Sequence, residues 1–275
     1  MCQCTLSKGD KNNCGISCFT ESDFTIPSFN GSSYLQFPGF GKNALSFVEI
    51  KIVFKARASN GLLFYNGNRM DGSGDFLSIN LVDGFVEFRF DLGTGPAILS
   101  ALGTLHIFDV QTNNKKFYFL NISKQSCVTK RLFIRSLLPI SVNEWHMLSV
   151  SRTGRKGILE VDGQPRVEDY SKGAFTQLYL PLNLFIGGVS DLKDVSQTSD
   201  ISQSFVGCIQ KVMINGRNLL LLEEALSGVN IADCPHPCAS QPCFQGGRCE
   251  PKMEYYTCHC PMGFVGTKCE LTKTN

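Results

Sequence analysis

With four histidines, one tryptophan and a formal net charge of only +2, this 275-residue chain lacks the raw material of several chemistries. The near-balance of charge excludes a strongly basic nucleic-acid binder, which needs a large positive field to neutralise phosphates. None of His106, His146, His236 and His259 stands in a His-Glu-x-x-His or related zinc pattern, so metallohydrolase chemistry has no ligand set to begin from. No apolar run approaches the roughly 20 residues that span a bilayer, and Met1-Cys2-Gln3-Cys4 lacks the apolar stretch of a secretory signal. Helical periodicity is scarce as well: no apolar stripe runs longer than about three turns.

Cysteine is what the chain has in excess, thirteen in all. Cytosolic chains keep their thiols reduced and seldom use such frameworks, so the count predicts an oxidising, extracellular compartment. The last six, Cys238, Cys243, Cys249, Cys258, Cys260 and Cys269, fall in a segment too short to bury a core, and crosslinks must supply its stability. Six cysteines admit fifteen pairings, and spacing does not choose among them. A zinc site is the rival reading, but six ligands at these intervals do not match a four-ligand centre.

The spacing C-x4-C-x5-C-x8-C-x-C-x8-C, with Gly246-Gly247, Tyr256 and Gly263-Phe264-Val265-Gly266, resembles an EGF-like module. That resemblance implies the pairs Cys238 to Cys249, Cys243 to Cys258 and Cys260 to Cys269. Cys2, Cys4 and Cys14 resemble the closing half of another such module. Cys4 to Cys14 is then its last pair, and Cys2 is left without an upstream partner. The odd cysteine count and the missing signal predict a fragment.

Between the two cysteine-rich ends, short apolar runs alternate with glycine turns, an all-β pattern. Ile50, Ile52, Phe54 and Ala56 alternate with Lys51, Lys55 and Arg57, giving a strand with one dry face. Leu77, Ile79 and Leu81 run into Asp83-Gly84, and Val86, Phe88 and Phe90 then alternate with Glu87, Arg89 and Asp91. The Asp-Gly pair tolerates a tight reversal, so this is a hairpin. A second hairpin joins 145–152 to 157–161 through Thr153-Gly154. Many short strands at this spacing favour a two-sheet sandwich.

Seven landmarks then fall in order: 60–65 (NGLLFY), 75–79 (DFLSI), 88–93 (FRFDLG), 144–146 (EWH), 159–163 (LEVDG), 184–188 (LFIGG) and 205–209 (FVGCI) closed by Cys234. This order is similar to that of a laminin G-like domain. The resemblance implies a jelly-roll sandwich of about fourteen strands closed by a Cys208 to Cys234 bond. The fold class expected is therefore all-β, a laminin G-like jelly-roll sandwich plus a small disulfide-rich EGF-like module. Its parts are the end of a preceding EGF-like module at 1–18, the sandwich at 19–234, the EGF-like module at 235–271 and a tail at 272–275. A laminin G-like domain followed by an EGF-like module resembles the arrangement of the agrin, perlecan and eyes shut group of matrix proteins, with a lean towards its eyes shut branch.

Joining Leu99 to Arg135 restores a family-like reading, so about 100–134 is expected to be an insertion, a length seldom found structureless in a compact domain. Within it Cys127 has two fates open, a bond to Cys18 or a free thiol. Asn30 and Asn121 head N-glycan acceptor triplets. Ser240, in Cys238-Ala-Ser-Gln-Pro-Cys243, fits the pattern on which EGF-like modules receive O-linked glucose. The module lacks the acidic cluster of calcium-binding EGF-like modules.

An enzyme would need a paired acid and base. Glu160-Val161-Asp162 begins a glycosidase-like strand pattern, but Pro165 stands where its last glutamate belongs, and no catalytic residue is assigned. The sandwich rim is the sharper site. There the resemblance implies calcium held by the Asp75 carboxylate, the carbonyls of Leu92 and Gln177, and the residue at position 179. Hard oxygen donors suit calcium. Tyr179 stands where an acid or amide belongs, and a protonated phenol is a poor ligand. The basic hairpin of Arg152, Arg155 and Lys156 offers charge-assisted hydrogen bonds to an acidic ligand, against the plainer reading of a solvated turn.

The function expected is a non-enzymatic, secreted matrix or adhesion module. Its partners are an acidic glycan or a glycosylated cell-surface receptor of the dystroglycan type, together with other matrix proteins. The alternative is a neurexin-type protein-binding module indifferent to glycan.

Overall fold

The computed structural model describes residues 26–41, 43–93, 134–195, 199 and 201–273, and the backbone of 2–5 and 15–18. At the N-terminus β1 (Cys2–Thr5) pairs antiparallel with β2 (Gly15–Cys18). The main body is two facing sheets built from short strands: β3 (Pro27–Asn30), β4 (Tyr34–Phe37), β5 (Phe47–Ala56), β6 (Gly61–Gly67), β7 (Phe76–Val82), β8 (Phe85–Asp91), β9 (Ile134–Arg135), β10 (Trp145–Thr153), β11 (Lys156–Val161), β12 (Val167–Tyr170), β13 (Leu184–Ile186), β14 (Val206–Ile214), β15 (Arg217–Leu219), β16 (Ser227–Val229) and β17 (Ala232–Asp233). One sheet runs β12-β11-β10-β5-β14-β3-β17, with β15 on β14; the other runs β16-β4-β13-β6-β7-β8-β9. The non-sequential neighbours mark the crossovers of a jelly-roll sandwich.

Local chemistry explains the strands. β5 alternates strictly between core-facing and half-exposed positions, with Val48, Ile50, Ile52, Phe54 and Ala56 inward. Asp83 and Gly84 turn β7 into β8 with φ of 52° and 82°, the double positive φ of a type I′ hairpin. The second hairpin turns one residue later than the pattern suggests: Thr153 pairs with Lys156, and Gly154-Arg155 is the connection. Phe29, Phe37, Phe54, Phe64, Phe88 and Phe205 are fully buried between the sheets. Each contributes about 1.5 to 3 kcal/mol by leaving water.

At its centre, from β6 to β8, the second sheet is buried on both faces. All of β6 is buried, and Glu87, Arg89 and Asp91, which alternation alone assigns to a wet face, are 1%, 4% and 6% exposed. On the outer surface Val195, with Val189 and Ile201 beside it, packs on Leu62, Tyr65 and Phe76. Arg89 Nη1 donates to the Ser199 carbonyl at 3.0 Å and Nε to Glu87 at 3.0 Å, while Arg135 Nε reaches Glu87 at 2.8 Å. The charged groups on this buried face are satisfied by one another and by the Ser199 carbonyl.

Ile134, expected at the end of the insertion, is a sandwich residue; it lies in β9 opposite Phe88 and is 1% exposed. The rest of the expected insertion, with Asn121 and Cys127, lies outside the described residues, as does Cys14.

Cys208 and Cys234 are bonded, tying β14 to the end of the sandwich chain. The EGF-like module is bonded Cys238 to Cys249, Cys243 to Cys258 and Cys260 to Cys269, the pairing its family resemblance implies. It holds two small hairpins, β18 (Arg248–Lys252) with β19 (Tyr255–His259), and β20 (Phe264–Val265) with β21 (Leu271–Thr272). The first hairpin docks on the sandwich. The register of β14 against β5 slips between Ile209 and Lys211, a bulge that turns Gln210 towards the module. Its side chain donates to the Pro251 carbonyl at 3.0 Å and accepts from the Met253 amide at 3.1 Å, while Lys55 pairs with Glu254 at 2.6 Å.

The Cys208–Cys234 bond closes a sequence separation of 26 residues. Replacing both by alanine is expected to lower unfolding free energy by about 3 to 4 kcal/mol, read by urea denaturation, with the EGF-like bonds left intact by mass mapping.

Candidate functional site

The site is assembled at the end of the sandwich where β5 begins and β10 turns into β11. Leu45 and Leu178 exchange main-chain hydrogen bonds of 2.7 and 2.9 Å, bringing the approach to β5 against the segment before β13. Gly154 N donates to Ser46 O at 2.9 Å and Ser171 N to Arg155 O at 2.8 Å, so the β10–β11 turn joins the same rim. From the other sheet, Asn68 N donates to Asp75 O at 2.9 Å, and Asn68 Nδ2 to Tyr179 O at 3.1 Å. Segments far apart in sequence thus meet at one edge.

Asp75 stands at the centre, at the head of β7. Its Oδ2 accepts from the Tyr179 main-chain amide at 2.8 Å. Its Oδ1 faces Gly93, where a β-carbon would lie 2.8 Å away, so the missing side chain keeps space open in front of the carboxylate. Gly93 has φ of +79°, and its amide donates to Asp91 Oδ1 at 2.8 Å, which fixes the turn that carries the Leu92 carbonyl. Burial lifts the Asp75 carboxyl above its ordinary value of 3.8, against the opposing pull of the Tyr179 amide and of Arg152.

The other expected ligands are placed differently from one another. Gln177 lies exposed one residue before the Leu45–Leu178 bridge. Tyr179 reaches Asp75 through its main-chain amide rather than its phenol. No group of three or more His, Cys, Asp or Glu side chains is disposed around a metal among the described residues. A cation here would rest on one carboxylate and main-chain carbonyls. Hard oxygen donors suit calcium, and Gly93 leaves the space in front of the Asp75 carboxylate clear.

The basic hairpin divides. Arg152, expected as a ligand-binding side chain, is 0% exposed and cannot touch a ligand. Its strand explains this: Leu148 and Val150 face the core, and two residues on, Arg152 follows them inward. Its Nη1 donates to Gly154 O at 2.5 Å and Thr176 O at 3.1 Å, and its Nη2 donates to Leu45 O. Burial lowers its pKa to about 10, with Asp75 acting against the fall, so it remains a cation at neutral pH. Lys156 is paired with Glu168 at 2.7 Å, an interaction that raises its pKa. Arg155 is the exposed cation of the three, with Nη1 on Gly173 O at 2.9 Å. Phe47, Phe175 and Tyr179 add exposed aromatic surface to the same end, a feature that strand patterning alone does not reveal.

Other sequence candidates fall elsewhere. Glu160 pairs with Arg166 at 2.8 Å, and Asp162 accepts from Met147 N at 2.8 Å and meets His146 Nδ1 at 2.6 Å, so the two carboxylates have separate structural partners. Asn30 is exposed at the end of β3, its Oδ1 accepting from Ser32 N at 2.9 Å. Ser240 is exposed in a short 3-10 turn.

The laminin G domain model matches residues 54–217 and the EGF-like domain model matches residues 238–268. Human pikachurin is 37% identical over 278 residues, covering 97% of this chain and 24% of its own length. The mouse basement membrane-specific heparan sulfate proteoglycan core protein is 30% identical, covering 98% and 6%, and the zebrafish eyes shut homolog is 31% identical, covering 89% and 7%. The chain thus spans about a quarter or less of the length of these relatives. Among solved structures, domains LG4-5 of the mouse laminin α1 chain superpose with a TM-score of 0.58 at 21% identity, over 79% of this chain and 49% of that one. The LG1-3 region of laminin α2 gives 0.56 at 18% identity, over 82% and 37%. These share the sandwich fold.

The chain belongs to the laminin G domain family, a family of extracellular-matrix, adhesion-type proteins. An EGF-like domain follows its sandwich, as in the perlecan and eyes shut group.

The contact between position 93 and Asp75 is testable against a matched control. Gly93→Ala adds a methyl against Asp75 at a positive φ, whereas Gly163→Ala meets the same backbone strain at φ +70° with nothing within 4 Å. Both are expected to lose about 1 to 3 kcal/mol in urea unfolding, and only Gly93→Ala should also weaken calcium binding by calorimetry.

Proposed function

We propose that this chain is a non-enzymatic, extracellular matrix adhesion module that holds an acidic glycan of a dystroglycan-type receptor on the rim around Asp75. Calcium is held there by the Asp75 carboxylate with the Leu92 and Gln177 carbonyls, and supplies a positive charge that a sugar carboxylate can share. The observation that carries this reading is the space in front of Asp75 Oδ1, which any side chain at position 93 would occupy. One carboxylate beside a buried guanidinium makes a weak site, in the range of about 10⁻⁴ to 10⁻³ M that extracellular modules use. Arg155, exposed at the turn, offers a charge-assisted hydrogen bond to the glycan. Phe175 and Tyr179 offer apolar faces to its rings, being 58% and 39% exposed.

A glycan-independent protein partner is the second reading, and the same exposed aromatics favour it, since aromatic anchors enrich protein interfaces. The two separate on a column of immobilised dystroglycan. Retention that chelator abolishes, that Asp75→Ala abolishes and that removal of the acidic sugars abolishes supports the glycan reading. Retention that survives deglycosylation supports the protein reading, and no retention contradicts the glycan reading.

The pH dependence has a definite sign. Calcium needs the ionised carboxylate, and burial raises the Asp75 pKa, so binding is lost on acidification at a higher pH than for an ordinary aspartate of 3.8. Calcium titrations at successive pH values should place the loss above that figure. Loss only at or below it contradicts the assignment to Asp75.

A further inference from the structure

We infer that Arg152 is the positioning residue of the rim: a wholly buried guanidinium that ties together the three segments on which the ligand contacts of Asp75, Gln177 and Arg155 depend. The inference rests on the function proposed above for the meaning of the rim, but its geometry stands independently.

Three observations carry it. The side chain of Arg152 is 0% exposed, yet among the described residues it is the largest of the fully buried side chains. A guanidinium carries planar, forked donors that can serve several acceptors at once. Here its two terminal nitrogens serve the carbonyls of Leu45, Gly154 and Thr176, each from a different segment. Its Nε has no hydrogen-bond partner among the described residues, so the group is held in a setting that leaves part of its donor capacity unused. An arginine merely filling core volume would be replaced at little loss by an apolar side chain.

The geometry extends to Asp75. The three carbonyls belong to the segments whose amides fix the rim: Leu45 and Leu178 bond each other, Gly154 bonds Ser46, and Tyr179 bonds Asp75. A cation beneath the rim therefore holds its loops together. It does so without touching ligand, so its role is positioning rather than binding.

Two substitutions test this role. Arg152→Met keeps much of the length and removes both the donors and the charge. Arg152→Lys keeps the charge, but its compact ammonium cannot span three carbonyls in the same fork. In calcium-free protein, hydrogen exchange at the amides of Leu45, Gly154, Leu178 and Tyr179 is expected to quicken roughly tenfold or more in both variants, as loss of charge-assisted hydrogen bonds implies. Exchange in the centre of β5 and β14 should not change by this factor. Arg166→Met, which removes an exposed arginine paired with Glu160, serves as the control.

Unchanged exchange at all four rim amides in a folded variant would overturn the inference, as would loss of protection spread evenly over the whole sandwich. If Arg152→Met does not fold, Arg152→Lys decides the question by the same exchange pattern. Because these measurements use no calcium, they distinguish the two claims: wild-type protein that binds neither calcium nor dystroglycan sinks the proposed function, whereas the exchange pattern alone decides the role of Arg152.

Discussion

A permanent cation buried between two sheets is the constraint on which this rim depends. Taking a guanidinium out of water costs on the order of several kcal/mol, and only well-placed acceptors offset it. Arg152 finds them in the carbonyls of Leu45, Gly154 and Thr176, with Asp75 acting on it as a counter-charge. The acceptors must be where they are for the charge to be tolerated, and the loops must therefore stay gathered. The arrangement that stabilises the cation also sets the geometry of the edge.

The rest of the molecule makes that edge a stable platform. Facing sheets bury a continuous apolar core, and the second sheet is covered again on its outer side by the segment around Val195. The Cys208–Cys234 bond lies near Trp145, whose ring has Lys55 5.8 Å from its centre. Lys55 in turn pairs with Glu254 of the EGF-like hairpin. The EGF-like module thus docks through Lys55 and the bulge at Gln210, at the far end of β5 from the Asp75 rim. Docking and ligand contact occupy opposite ends of the same strand, so an adjoining module leaves the rim accessible.

Local signals were legible in the sequence and non-local ones were not. Asp83-Gly84 marks its hairpin because positive φ is a property of those two residues, and the alternation of β5 follows from one dry face. The pairing of the last six cysteines needed the family resemblance, since Cys249 and Cys258 lie opposite each other in register yet bond elsewhere. Glu87 and Arg89 look solvated until the Ser199 carbonyl that Arg89 bonds is in place, and nothing near them in sequence announces it. Arg152 is the instructive error. Counted with Arg155 and Lys156 it reads as a charged turn, but counted with Leu148 and Val150 it falls on the core side of its strand. The contact that Tyr179 makes with Asp75 was not legible either, because it is made by the main chain and not by the side chain that a motif reads. The motifs identify the group rather than its member, as identities of 37% to human pikachurin and 31% to zebrafish eyes shut homolog illustrate.

The most direct test is a calcium titration followed by amide NMR on the deuterated chain. The account predicts fast-exchange shifts that concentrate at Asp75, Leu92, Gly93, Gln177 and Tyr179 and saturate together in the millimolar range typical of extracellular modules. Shifts confined to other parts of the sandwich or to the EGF-like module, or a spectrum indifferent to calcium, would contradict it.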